Sequence, residues 1–376
     1  MDEKRKSSKG QVWFAGLCIL VLIFGLGTWG LNTLRSTQLD DLLLSRTQRV
    51  VEVVRPDPTP AGIVPVEGPA FVPVTVTFSF NGGTYSIAPE VANGIYYGAV
   101  NVRRTISMRD ALTKQEQYQE YYRRLTFDPE MDAALTSVLI PLRAIRDAQG
   151  YDDSAYAELI VKYVQSIPYD TTRLATATSE ETIDGDPRMP VQVLVEGTAD
   201  CDEKVMLAAA LLGKEGFSTA ALLYVDEQHM SLGLMSDRVG YRNTGYEFVE
   251  TTSPAYISEI PDEFVGGVQL VSEPMVLVLS EGPTRFSGVA LDQIAHIIGA
   301  RDSALAAAAQ KRAYVESTPM SPADFEWHVV QYDACFIAYN RLRKTVDPET
   351  GLPRDEYAFM DRIEAINWLA QNNWWY

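Results

Sequence analysis

The part of this chain that most restricts its fold comprises residues 197–252, where the pattern of an apolar helix gives way to strand patterns. Asp200 has the acceptor side chain that an N-cap needs, and Glu203 follows three residues later, as in a capping box. The apolar run 205–212 then predicts a buried helix that ends within residues 213–216, where two glycines stand. A capped, buried helix therefore opens this segment.

The residues after this helix predict an antiparallel sheet. Residues 217–225 are small and apolar, as in a buried strand, and two further strand patterns flank the polar segment 236–245. A hairpin symmetric about Val239 and Gly240 places His229 opposite Glu250. Glu247, three residues earlier, points to the other sheet face. The predicted fold class is α+β, with a helix packed on an antiparallel sheet.

Three side chains in this segment suggest nucleophilic catalysis. Cys201 follows the N-cap, so unpaired backbone N–H groups and the helix dipole are expected to lower the pKa of its thiol. His229 can then act as the base, and Glu250 can orient the imidazole. The backbone N–H groups at the helix start are candidate oxyanion donors, and Gln192 and Tyr169 are further candidates.

Acidic residues crowd the same turn. Asp200, Asp202 and Glu203 flank the thiol, and like charge raises a thiol pKa. These carboxylates either cap the helix or bind a cation such as Ca²⁺, and we favour capping. We expect no other cofactor and no metal site. His328 and Cys335 are seven residues apart on a predicted helix, but a single pair of ligands is a weak zinc signal.

At these residues the chain resembles the transglutaminase-like branch of the papain-like cysteine protease superfamily, and in particular membrane-anchored microbial, archaeal members. The resemblance extends over residues 154–261 and rests on four pieces, which are residues 163–170, 197–204, 229–230 and 248–252. It implies a papain-like core with a catalytic Cys201, His229 and Glu250. It also implies a cysteine peptidase or acyl transferase that acts on a protein or peptide substrate.

An alternative of another class is an inactive transglutaminase-like fold that serves as a membrane-anchored binding or scaffold protein. Two features support it. The carboxylates crowd Cys201, and Ala199 stands where relatives more often have glycine. A disulfide between Cys201 and Cys335 would also silence the thiol, and the catalytic interpretation requires that these two residues do not pair.

The N-terminus predicts a membrane anchor. Four basic residues precede the uncharged segment 10–34, which is long enough to span a bilayer. A cleaved signal peptide is the alternative, but its apolar core is shorter and ends in a small-residue site. Because the basic residues come first, we expect a single-pass helix with the N-terminus in the cytoplasm and the catalytic domain outside it. The net charge of −18 argues against nucleic acid as a partner.

The remaining patterns give the predicted organisation of the chain. Strand patterns occupy residues 72–80, with a turn at 81–83 and a return at 84–87, and residues 95–106. Helix patterns occupy residues 128–149, 154–167, 303–315, 322–343 and 355–368. The predicted divisions are a basic tail (1–10), a transmembrane signal anchor (11–34), a juxtamembrane linker (35–65), the transglutaminase-like domain with an N-terminal β extension (66–285) and a C-terminal helical region (286–376).

Overall fold

The computed structural model of the protein describes residues 62–104, 112–171, 187–261, 264, 268–342 and 360–372. Within these ranges no helix is both long and apolar enough to cross a membrane. The predicted signal anchor at residues 11–34 lies outside the described residues.

The described residues form an α+β fold, as predicted. A four-stranded antiparallel sheet has the order β5-β4-β3-β6, and a separate hairpin pairs β1 with β2. The strands are β1 (Val76–Phe80), β2 (Gly83–Ile87), β3 (Thr219–Tyr224), β4 (His229–Met235), β5 (Tyr246–Val249) and β6 (Met275–Ser280).

Helices precede and follow the four-stranded sheet along the described chain. They are α1 (Asn93–Val100), α2 (Lys114–Thr126), α3 (Asp132–Gln149), α4 (Asp153–Gln165), α5 (Pro190–Glu196), α6 (Cys201–Lys214), α7 (Gly288–Ser317), α8 (Pro322–Leu342) and α9 (Arg362–Gln371).

Helix α6 lies at the centre of the core. Every residue from Glu203 to Leu212 is buried, and the helix packs against β3 and β4 on one side and against α4 and α5 on others. Its apolar side chains belong to the main hydrophobic cluster, together with those of α4 and β4. Removing apolar surface from water is the principal stabilising term for such a helix. The core therefore fixes the position of the first turn of α6.

Local capping chemistry sets the ends of α3 and α4. Asp128 accepts a hydrogen bond from the backbone N–H of Glu130 and begins a short 3₁₀ turn that leads into α3. Gly150 ends α3 with a φ of 65°, a left-handed conformation that favours glycine. Asp152 caps α4 through the N–H of Ala155. Both predicted helices and the predicted hairpin at residues 76–87 are confirmed.

The strand predicted at residues 95–106 is wrong. Residues Asn93–Val100 form helix α1, which packs against α5, and residues 105–111 lie outside the described residues. A side chain at Gly98 would clash with the carbonyl of Val64, so the two backbones are in close contact there. This tertiary contact overrides the β propensity of Ile95 and the two tyrosines after it.

The C-terminal helices differ in extent from their predicted bounds. The pattern at 303–315 is part of α7, a single helix of 30 residues that also includes His296. Helix α8 agrees with the pattern at 322–343, whereas α9 begins at Arg362, later than predicted. The tyrosine hydroxyl of Tyr256 donates to the carbonyl of Met360 at 2.6 Å, and the guanidinium of Arg362 pairs with Glu158 at 2.9 Å. These bonds attach α9 to the core.

Candidate active site

Cys201 is the first residue of α6, and the predicted capping box is present. Asp200 Oδ1 accepts from the backbone N–H of Glu203 at 3.3 Å, and Glu203 Oε2 accepts from the N–H of Asp200 at 3.1 Å. The cap uses two of the donors that a helix start leaves unpaired. Cys201 as a residue is only partly buried, although its thiol is desolvated by its neighbours.

The hairpin that carries His229 and Glu250 has a different register from the predicted one. Leu232 pairs with Val249, and extending that ladder places His229 opposite Thr252 rather than Glu250. The shift is two residues, so Glu250 stays on the same sheet face as a diagonal neighbour of His229. Strand β5 ends at Val249, and Glu250 lies just beyond it.

His229 and Glu250 nevertheless face each other. His229 Nε2 lies 3.5 Å from Glu250 Oε2, with side chains 8% and 0% exposed. Neither of these two atoms has a hydrogen bond to any other group in the part of the chain that the structure describes. The other carboxylate oxygen, Oε1, accepts from the backbone N–H of Thr252 at 2.5 Å and from its hydroxyl. One oxygen is thus fixed by the backbone, and the other is directed at the imidazole.

Cys201 reaches the same end of β4. The backbone N–H of Met230, the residue after His229, is close enough to Cys201 to lower the pKa of its thiol. Glu250 is also close enough to Cys201 to affect the charge of its thiol. The structure therefore brings Cys201 to the strand end that carries the His229–Glu250 pair.

The pKa of Cys201 departs from the sequence-based expectation. Burial raises the pKa of the thiol well above its usual range, and Asp202, Asp200 and Glu250 raise it further, whereas the Met230 N–H lowers it. The expected lowering by the helix start is contradicted, because desolvation and neighbouring carboxylates outweigh the helix-terminal dipole. The thiol of the free protein is held in its neutral form.

Two tyrosines flank the thiol. Tyr169 pairs with Ala199 in a parallel bridge, which places the segment at residues 163–170 beside the start of α6. Burial raises the pKa of Tyr169, and the charge of Cys201 adds to this effect. Tyr122 of α2 is buried, and burial, Asp202 and Cys201 raise its pKa. No sequence motif indicated Tyr122, because α2 lies outside all of them.

Gln192 lies in the first turn of α5. Its side-chain oxygen accepts from the backbone N–H of Met189 at 3.0 Å and from the guanidinium of Arg104. These bonds fix the amide oxygen, and a role of the Nε2 group as an oxyanion donor stays a prediction.

An arginine side chain pairs with Glu203, one of the acidic residues near the thiol. Arg188 Nη2 lies 2.7 Å from Glu203 Oε2 and 3.0 Å from Asp170 Oδ2, and its Nη1 lies 2.5 Å from Glu196. Its side chain is 12% exposed and that of Glu203 is 0% exposed. Glu203 is therefore turned into the protein and paired, as capping requires. Sequence reasoning missed Arg188, although buried carboxylates imply a nearby cation.

Aromatic rings cover the imidazole. The ring of His229 lies 4.7 Å from that of Phe264 and 6.5 Å from that of Tyr224, measured between centroids. Phe264 and Tyr224 belong to a second apolar cluster with Phe248. This cluster excludes water from one side of the His229–Glu250 pair.

The other predicted candidates lie elsewhere. Cys335 is buried in α8 and, like Cys201, is a free cysteine. His328 packs against the ring of Tyr314 at 4.8 Å. Among the described residues, no three His, Cys, Asp or Glu side chains form a group that could hold a metal ion.

Comparisons of the chain with protein-family models, with curated proteins and with solved structures found no match.

Proposed function

We propose that the protein is a thiol-dependent amide-bond hydrolase or acyl transferase in which Cys201, His229 and Glu250 form a catalytic triad on a transglutaminase-like, papain-like core. The observation that carries the proposal is the meeting of these residues at one end of β4. The Met230 N–H lies close enough to Cys201 to lower the pKa of its thiol, the helix of Cys201 packs on β4, and the 3.5 Å His229–Glu250 contact lies one residue away.

The geometry suggests a role for each nitrogen of His229. Its Nε2 faces Glu250, so Nδ1 is the nitrogen that would exchange a proton with Cys201. Proton transfer from the thiol to Nδ1 yields a thiolate and an imidazolium, and the buried carboxylate of Glu250 stabilises the imidazolium. A thiol that is neutral in the free protein is compatible with this role when His229 takes the proton as the nucleophile attacks.

The proposed reaction has two stages. The Cys201 sulfur attacks the amide carbonyl, the C–N bond of the tetrahedral intermediate breaks, and the imidazolium gives its proton to the leaving amine. The resulting thioester is then attacked by water, with His229 as the base, to release a carboxylic acid and the thiol. Attack by a second amine instead of water transfers the acyl group. The N–H groups at the start of α6 are the candidate donors to the oxyanion.

The proposed location of the site outside the cytoplasm is based on the sequence. The predicted anchor at residues 11–34 would place the site outside the cytoplasm, where protein or peptide substrates of the cell surface are accessible. The net charge of −18 disfavours nucleic acid as a substrate.

Two linked measurements test the proposal on the full chain. The first is alkylation of Cys201 by iodoacetamide between pH 5 and pH 9, followed by peptide mass spectrometry, with buried Cys335 as the internal reference. We expect His229→Ala to slow alkylation of Cys201 about 100-fold near neutral pH, because the base is lost. Equal rates in wild type and His229→Ala would refute the triad.

The second measurement is the release of new amino groups from an unfolded protein substrate. We expect release by wild type and none by Cys201→Ala, whereas Cys335→Ala should match wild type. Incorporation of a fluorescent primary amine into the substrate, in place of hydrolysis, would identify transfer.

One observation favours the second candidate, a non-catalytic binding or scaffold protein. Burial and the charges of Asp202 and Asp200 hold Cys201 neutral, which suits a packing residue better than a nucleophile. This alternative predicts that Cys201 reacts like an ordinary thiol and that substitution of His229 leaves its alkylation rate unchanged.

A further inference from the structure

A fully buried lysine lies directly behind the candidate triad. Lys204 follows Cys201 by three residues on α6, and its side chain is among the largest fully buried ones. Lysine is almost never buried in this way unless it is paired, since the ammonium loses its hydration. A packing role alone would be served better by leucine or methionine, so the presence of lysine requires a reason.

The ammonium of Lys204 is directed at the chain around Glu250. Its Nζ donates to the carbonyl of Thr251 at 3.2 Å and to the carbonyl of Gln165 at 3.3 Å. Thr251 follows Glu250, and Gln165 is the last residue of α4. Lys204 therefore connects α6, α4 and the segment after β5 at a single point.

Gln165 binds the same segment through neutral groups only. Its Nε2 donates to the carbonyl of Glu250 at 2.8 Å and to that of Ala255 at 3.1 Å. Both side chains thus donate to backbone carbonyls of residues 250–255, Lys204 once and Gln165 twice, but only Lys204 can bring a positive charge. A substitution of Gln165 therefore serves as a control, because it removes backbone hydrogen bonds without removing a charge.

Charge connects Lys204 to Glu250 specifically. Burial lowers the pKa of Lys204 to about 7, and the negative charge of Glu250 is what raises it against that effect. The groups that interact with Glu250 are Lys204 on α6, His229 on β4, Cys201 at the start of α6 and Tyr169 before α5. Of these groups, Lys204 carries a positive charge below about pH 7 whether or not the imidazole of His229 is protonated.

We propose that Lys204 is a positioning residue for the acidic member of the triad, holding the Glu250–Thr251 segment against α6 and placing a positive charge near the buried Glu250. The role of Lys204 in catalysis rests on the proposed function. Below pH 7 the ammonium supports the carboxylate, and the carboxylate in turn supports the imidazolium. Above pH 7 the neutral amine still donates to the carbonyls, but the charge is gone.

The pH profile of Cys201 alkylation tests the role of the charge. Lys204→Met removes the positive charge beside the Glu250–Thr251 segment, so the negative charge of Glu250 is less stabilised and supports the imidazolium less as the pH falls. We expect the acidic limb of the profile to move to higher pH by about one unit. Gln165→Met, which removes two backbone bonds and no charge, should leave the limb in place. If the acidic limb stays in place in Lys204→Met while alkylation of wild type still depends on His229, the inferred role of Lys204 is refuted and the proposed function stands.

A stability cycle gives an independent test that does not need an active thiol. Thermal unfolding is measured for wild type, Lys204→Met, Glu250→Gln and the double variant. We expect Glu250→Gln to lower the melting temperature in the wild-type background and to raise it, or leave it unchanged, in the Lys204→Met background. The same lowering in both backgrounds would show that Lys204 only packs. If wild type fails the His229 test, the proposed function falls, and this cycle still decides whether Lys204 balances Glu250.

Discussion

Cys201 stands at a helix start whose dipole favours a thiolate, yet the groups around it favour the neutral thiol. Burial contributes most to the raised pKa of the thiol, and Asp202 contributes more than Asp200. The Met230 N–H opposes both effects. The reactivity of this cysteine is therefore set by a few identifiable neighbours, and each can be changed separately.

Asp202 is the neighbour to change first. Asp202→Asn removes the charge but keeps the oxygen that accepts from the N–H of Glu203 at 3.0 Å. We expect the pKa of Cys201 to fall and its alkylation near pH 7 to become severalfold faster, because like charge no longer opposes the thiolate. The measurement is the pH dependence of alkylation. Asp292→Asn, at an exposed site on α7, is the control, and an unchanged profile in Asp202→Asn would contradict the assignment of Asp202.

At the scale of elements, Arg188 joins the segment before α5 to the first turn of α6. Its pairs with Glu203, Asp170 and Glu196 cross from α6 to the segment that carries Tyr169 and to the end of α5. Glu203 is fully buried, so it has no access to water if the guanidinium is removed. The arginine thus stabilises the arrangement that places Cys201.

Arg188→Met tests this role. Removal of one partner of a buried ion pair leaves an uncompensated charge, and we expect the free energy of unfolding to fall by about 3–5 kcal/mol. Chemical denaturation measures it. Arg312→Met removes the same side chain from the exposed Arg312–Glu316 pair on α7 and should change stability little. Equal effects of the two substitutions would show that the Arg188 pairs are not structural.

Elements whose ends are set by local chemistry could be predicted from the sequence. The cap at Asp200, the left-handed glycine at Gly150 and the turn before β2 need only their neighbours, and all are confirmed. Helix α1 could not be predicted, because its cause is a contact with Val64, about 30 residues away in sequence. The hairpin register was wrong by two residues, since the loop between β4 and β5 contains a 3₁₀ turn, Tyr241–Asn243, that symmetry about one point does not anticipate.

The candidate site likewise contains residues that could be predicted from the sequence and residues that could not. Cys201, His229 and Glu250 could be selected because their residue types and order suggest a chemistry. Arg188 and Lys204 could not, because a charged residue in a sequence is normally exposed and only the packing shows that Lys204 is buried and Arg188 is 12% exposed. Their importance comes from burial, which is a property of the tertiary structure.

At the scale of the whole molecule, buried titratable groups make stability depend on pH. Burial raises the pKa of Tyr163 above its ordinary value of 10.0, and burial likewise raises the pKa of the Cys201 thiol above its ordinary value of 9.0. A raised acid pKa stabilises the folded state at lower pH, and this contribution is lost as the pH rises above the unfolded value. These groups therefore reduce stability above about pH 9.

Lys204 acts in the opposite direction over a lower range. Burial lowers its pKa to about 7 in the folded protein from an ordinary value of 10.5, so between these values the unfolded chain binds more protons than the folded one. We expect the free energy of unfolding to rise by about 2–3 kcal/mol between pH 7 and pH 9, since each pKa unit is worth about 1.4 kcal/mol. Denaturant unfolding across this range measures the rise. Lys204→Met should abolish it, whereas Lys214→Met, which alters a more exposed pair with Asp132, should keep it. A rise that persists in Lys204→Met would mean that the buried ammonium is not its source.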